Sequence, residues 1–153
     1  AIIQALNHAQ APSAVQCVIN PLNSAGAIGY VSEAFNPLAI LSKCQQLDIP
    51  ILAIRAVQAG ALTSSMDRSP HESGFDKSDF DDFDKAEPFR DLAIEWGESP
   101  ASLAHRYALS IKGVASVILG VKNRTELKEC VEAEAKDLLS DSEIQQIENC
   151  LKG

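Results

Sequence analysis

Three short apolar runs constrain this chain more than any other feature: Val15 to Ile19, Ile51 to Ile54 and Val114 to Leu119. Each is rich in β-branched residues and too short for a buried helix, so each reads as a strand. Between them the pattern turns helical. Ile2, Ile3 and Leu6 stripe a first helix that Pro12 ends. Pro37 opens a second, whose Leu38, Leu41, Cys44 and Leu47 share a face. Phe89, Leu92, Ala93 and Trp96 mark another, ended near Gly97, and Ser99-Pro100 caps and opens the next with Leu103, Tyr107, Ala108 and Ile111 inward. Strands joined through helices are repeated βα units, which predict a parallel sheet covered on both faces. Such sheets carry their sites at the carboxyl ends of the strands, where the sequence puts Asn20, Arg55 and Gly120.

The third run leads into the most informative stretch. Gly120 opens a tight turn, and Asn123 stands three residues before Glu126, a capping-box spacing that starts a helix at Arg124. Leu127, Cys130 and Val131 are expected on its inner face. The unpaired N–H groups of that first turn form an anion site, flanked by Lys122 and Arg124. Two cations beside a helix N-terminus are unfavourable unless something anionic answers them. On these residues alone, two solvated cations on an ordinary βα loop remain an equal alternative. Ser140-Asp-Ser-Glu143 is a second capping box, opening a last helix with Ile144, Ile147 and Leu151 inward.

A length of 153 residues suits one domain, and a formal net charge of −8 excludes a general nucleic-acid or anionic-membrane binder. The same acidity argues against a helix-turn-helix DNA reader at residues 88–111. Four cysteines without C-x-x-C spacing imply reduced thiols and a cytoplasmic location. No membrane-length apolar run is present. No metal set is expected. His105 falls off its helix's apolar face and reads as surface. The acidic run Asp76 to Asp84, interleaved with Phe75, Phe80 and Phe83, lacks the glycine and terminal glutamate of an EF-hand loop and reads as a solvated loop. It belongs to a long loop from Ser64 to Lys85, expected to contact substrate, as loops of that length are usually functional. A second loop, Asn23 to Asn36, carries Tyr30 and Phe35. The chain begins without Met and with a helix under way, which suggests that residues 1–153 are a partial domain.

Four segments in order and in similar spacing resemble the C-terminal half of an aldo-keto reductase: Val-Gln-Cys-Val-Ile-Asn-Pro-Leu-Asn-Ser-Ala-Gly, Ile-Leu-Ala-Ile-Arg-Ala-Val-Gln-Ala-Gly-Ala-Leu-Thr, Ser-Pro-Ala-Ser-Leu-Ala-His-Arg-Tyr-Ala-Leu-Ser and Gly-Val-Ala-Ser-Val-Ile-Leu-Gly-Val-Lys-Asn-Arg-Thr-Glu-Leu. The resemblance implies the C-terminal half of a TIM-type (β/α)8 barrel, its N-terminal half absent, binding NADP and reducing an aldehyde or ketone. It assigns Gln16 to the nicotinamide carboxamide. Arg55, where many members carry a Tyr-Ser pair, can reach the pyrophosphate. Ala56, Val57, Gly60 and Leu62 belong to the loop lying over that pyrophosphate. Gly120, Val121, Lys122 and Arg124 match the turn that holds the adenosine 2′-phosphate. Glu126 and Cys130 stand where Gln and Asn commonly contact adenine. The acid/base tetrad of Asp, Tyr, Lys and His belongs to the other half, so the resemblance places no catalytic residue here. Neither Tyr30 nor Tyr107 substitutes for it. The implied partners are a small carbonyl substrate and either the missing half or a second copy. A non-catalytic NADP(H) sensor or accessory subunit is the alternative.

Overall fold

The computed structural model describes residues 1–22, 36–66 and 77–152, with the side chains of 77–79 left aside. In chain order it contains α1 (Ile2–Leu6), β1 (Val15–Val18), α2 (Pro37–Gln46), β2 (Ile51–Ile54), a 3-10 turn (Gln58–Gly60), α3 (Lys77–Lys85), α4 (Glu87–Glu95), α5 (Pro100–Ser110), β3 (Val114–Val117), α6 (Arg124–Glu134) and α7 (Asp141–Cys150). The three strands form one parallel sheet in the order β1-β2-β3. Each connection passes through helix, as the alternation in the sequence requires.

Local signals set the helix boundaries. Asn36 caps α2 by accepting the Ala39 N–H at 2.9 Å, with Pro37 at the first helical position. Ser99 does the same for α5 through Ser102. Ser140 and Glu143 form a true capping box, each side chain bonded to the other's backbone N–H. Gly97, at φ +68°, ends α4, where Glu98 N–H returns to the Ala93 carbonyl.

Two apolar clusters share the interior. One packs α1 and α2 against the sheet through Leu6, Ile40, Leu41, Ile51 and Ala53. The other joins α4, α5 and α7 through Phe89, Leu103, Tyr107 and Ile147. Burying a residue such as Ile51 or Phe89 stabilises by roughly 1.5–3 kcal/mol each. The sheet is not covered evenly on both faces. Gln16, Leu52 and Ser116 stand abreast in register, with Gln16 and Ser116 exposed and Leu52 half-buried, while Ile51 and Ala53 of β2 are fully buried. This is the two-sidedness of a barrel wall, helices on one face and the barrel interior on the other.

Several expectations are corrected. From Lys77 on, the acidic run is helix α3, not a loop, because Phe83 and the buried Asp82 give it a packed side. Residues 67–76 of the expected substrate loop lie outside the described residues, as do 23–35 with Tyr30 and Phe35. Leu38 and Leu47 of α2 are exposed, and the inward positions are Ile40, Leu41 and Cys44. On α6, Leu127 and Val131 are 47% and 58% exposed; Cys130 is buried as expected, and Ala133 rather than Leu127 or Val131 joins it inward. All four cysteines are free. Burial, with the nearby Cys44 thiol adding to it, pushes the Cys17 thiol up to about 11, so it stays protonated and inert.

Glu98, where α4 gives way to α5, is the main ionic tie among the helices. Its carboxylate is 6% exposed and accepts from Ser102 Oγ and Arg106 Nη1 at 2.6 Å each and from Lys136 Nζ at 2.9 Å. Burial pushes this carboxyl up, but the hydrogen bonds from Ser102, Lys136 and Arg106 outweigh it and hold it below the usual carboxylate range. A carboxyl depressed on folding stabilises above its unfolded value, ordinarily near 4.3, and loses that contribution as pH falls through the depressed one. Glu98→Gln should therefore lower stability by about 2 kcal/mol at pH 7, and the deficit should be smaller at about pH 3, below the unfolded value. Urea denaturation of both proteins at the two pH values checks this. A deficit that stays constant would contradict it.

Candidate functional site

Past the end of β2 the chain adopts a conformation that ordinary residues avoid. Arg55, Gln58 and Ala59 have φ of +57°, +46° and +54°, followed by Gly60 at +99°. Left-handed backbone costs a non-glycine residue roughly 1–2 kcal/mol, so the segment must be held from outside. A buried amide holds it. Gln58 Oε1 accepts from Asn20 Nδ2 and from Arg55 Nε, both at 3.0 Å, and Gln58 Nε2 donates to Asp82 Oδ2 at 2.9 Å. Asn20 Nδ2 also reaches the Arg55 carbonyl at 3.0 Å. The carboxyl ends of β1 and β2 and the helix α3 are thus tied through one side chain. From there the loop runs over the carboxyl end of the sheet to Thr63, whose Oγ1 donates to the Gly60 carbonyl at 2.8 Å.

The turn after β3 faces this loop. Asn123 accepts the N–H groups of Thr125 and Glu126 at 2.9 and 3.0 Å, and α6 begins at Arg124 as expected. The reciprocal half of the expected capping box is different. Glu126 does not bond the Asn123 backbone N–H. Its Oε2 accepts the Lys122 N–H at 2.7 Å, and its Oε1 accepts from Asn123 Nδ2 at 2.9 Å. The carboxylate reaches one residue further back because the Asn123 amide, engaged on both sides, pulls it toward the turn.

Between loop and turn lies a cavity of about 370 Å³. One wall is Val57, Gly60, Thr63, Ser64 and Ser65; the other is Gly120, Lys122, Glu126 and Glu129, with Ala101 at the start of α5 between them. Both glycines leave backbone accessible. A Cβ on Gly120 would touch nothing within 4 Å, and Gly60 takes the left-handed geometry at no steric cost. The volume suits part of a ligand rather than a whole dinucleotide. Ser99 donates a hydrogen bond to Glu129, fixing that carboxylate.

Of the residues singled out in the sequence, Val57, Gly60, Gly120, Lys122 and Glu126 meet in this cavity. Ala56 and Leu62 are buried beneath the loop and support it from inside. Val121 and Arg124 are exposed on the turn and do not line the cavity. Gln16 is exposed on β1, and Arg55 is held by Gln58. Cys130 is buried and lies 3.2 Å from His105 Nε2, in a separate cavity of about 200 Å³ against β3. His105 is therefore not a surface residue. Burial pushes its imidazole below the usual value against the opposing pull of Glu129, leaving it neutral beside a thiol. Among the described residues no cluster of three His, Cys, Asp or Glu side chains forms a metal set.

Among the contributors that escaped the sequence are Gln58, Asp82 and Glu129. Glu129 follows Glu126 by three positions on one helix face, which is a legible signal. The Gln58–Asp82 bond spans 24 residues and carries none. Tyr107 is fully buried with its hydroxyl donating to Glu148 at 3.1 Å, and burial together with that carboxylate pushes its phenol well up.

A parallel sheet with its cavity formed by the loops past the strand ends is the arrangement of a (β/α)8 enzyme barrel, of which these elements are a part. The chain belongs to the aldo/keto reductase family, whose model matches residues 1–152. The structure of the glycerol dehydrogenase from Gluconobacter oxydans is similar to it, with a TM-score of 0.64 over 90% of this chain at 19% identity. At that identity the likeness concerns the fold. The chain spans 42% of the length of that structure. No curated protein matches the chain.

Because Gln58 holds three strained residues and two buried partners, Gln58→Ala should destabilise the protein by about 3 kcal/mol, an unsatisfied buried polar group costing roughly 1–3 kcal/mol. It should also raise amide exchange in residues 55–63 selectively. Hydrogen exchange with mass detection separates this from uniform destabilisation, which would leave the tether without its assigned role.

Proposed function

We propose that this chain forms the cofactor-holding part of an NADP-dependent oxidoreductase that reduces an aldehyde or ketone to an alcohol. The observation that carries the reading is the cavity between the 57–65 loop and the start of α6, with Lys122 in its wall. The residues fit the adenosine end of such a cofactor: two glycines permit close approach, and Lys122 supplies a cation. Arg124 stands beside it on the exposed first residue of α6, able to reach a phosphate from outside. The exposure of Gln16 on β1 supports its assignment to a carboxamide of the cofactor.

When bound, the cofactor supplies the hydride, and the chain's own residues bind and orient it. The proton comes from elsewhere. Tyr107 is committed to Glu148 inside the helical core, and no catalytic role is assigned to it. Among the described residues β1 and β3 are both edge strands, and Ile118 and Leu119 beside β3 are exposed. That supports a sheet continued by further strands, either the rest of a barrel or a second copy. Free cysteines support a cytoplasmic setting, and among the described residues no helix is long and apolar enough to cross a membrane.

The test is cofactor binding. Charge-assisted contacts contribute roughly 1.5–3 kcal/mol each, so replacing Lys122 and Arg124 together by Ala should weaken NADPH binding by about 30-fold or more and leave NADH nearly unchanged. Fluorescence titration with both cofactors reads this out. Equal losses for the two would remove the 2′-phosphate assignment.

A further inference from the structure

The head of α6 already holds an anion, and it is the protein's own. Glu126 lines the cavity, accepts the Lys122 N–H at 2.7 Å and the Asn123 side-chain amide at 2.9 Å, and so takes up two donors of that turn. Glu129, one helical turn further on, lines the same wall. Among the described residues of the lining, the one cation, Lys122, is accompanied by two carboxylates. A phosphate entering here meets like charge and loses backbone donors that are already engaged. A sugar hydroxyl has neither problem, because it can donate to a carboxylate.

We propose that Glu126 is a specificity-determining residue. Its carboxylate stands in for the 2′-phosphate in the free protein, so a 2′-phosphorylated adenosine must displace it, whereas a bare 2′-hydroxyl can use it as an acceptor. The proposal rests on the reading of the cavity as an adenosine site. It adds that the preference for the phosphorylated cofactor is smaller than Lys122 and Arg124 alone would produce, and that one carboxylate is the reason.

Two nucleotides that carry only the adenosine end test it without the rest of the cofactor: adenosine 2′,5′-bisphosphate and adenosine 5′-monophosphate, titrated calorimetrically into the protein, Glu126→Gln and Lys122→Ala. Glutamine keeps an oxygen for the Lys122 N–H, so α6 should keep its start, which circular dichroism verifies. Glu126→Gln should bind the bisphosphate about tenfold more tightly, as removal of a like charge in contact implies, and the monophosphate no more tightly than before. Unchanged bisphosphate affinity, or equal tightening for both nucleotides, would overturn the proposal. If Lys122→Ala weakens bisphosphate binding while Glu126→Gln does nothing, the adenosine reading stands and this inference alone falls. If neither nucleotide binds any of the three proteins, the adenosine reading falls and takes the inference with it.

Discussion

The candidate site depends on one buried side chain amide. Gln58 is fully enclosed, and its oxygen and nitrogen link the end of β1, the end of β2 and the helix α3. Without those bonds three non-glycine residues in left-handed backbone would lose a main support, and the loop along the cavity would relax. Arg90 reinforces the arrangement from the other side. Its guanidinium donates to the Ala61 and Phe83 carbonyls at 3.1 and 2.7 Å and lies 3.9 Å over the Phe83 ring. Loop, α3 and α4 are therefore one packed unit, so the acidic segment serves the site by supporting it.

The opposite wall is governed by charge rather than by strain. The first turn of α6 offers free N–H groups and a positive dipole end, and Asn123 and Glu126 consume part of that capacity internally. A carboxylate in this position stabilises the isolated helix. It also competes with any anionic ligand for the same donors. Stability of the empty protein and affinity for a phosphate thus draw on one set of groups.

Sequence periodicity was a good guide wherever one local force dominated. The strands, the starts of α2, α5, α6 and α7 and the glycine stop after α4 all follow from apolar runs, capping side chains, Pro37, Pro100 and Gly97. The turn carrying Lys122 was legible because a glycine, a cap and two cations fall within five residues. The errors have a common origin. Leu127 and Val131 share a helical stripe yet lie exposed, and His105 looked peripheral yet is enclosed by α6 and β3. Periodicity gives the spacing of a stripe and not which neighbour will cover it.

The sequence by itself determined the parallel βα order, the carboxyl-end location of the cavity and the residues of the α6 turn, since these depend on contacts among near neighbours and on the handedness of the chain. Only the tertiary structure decided that Gln58 would meet Asp82, that Cys130 would turn away from the cavity toward His105, and that the Glu126 carboxylate would bend back to Lys122. The first two are set by long-range packing of elements far apart in the chain. The third is a choice between acceptors a few ångströms apart, which sequence spacing does not resolve.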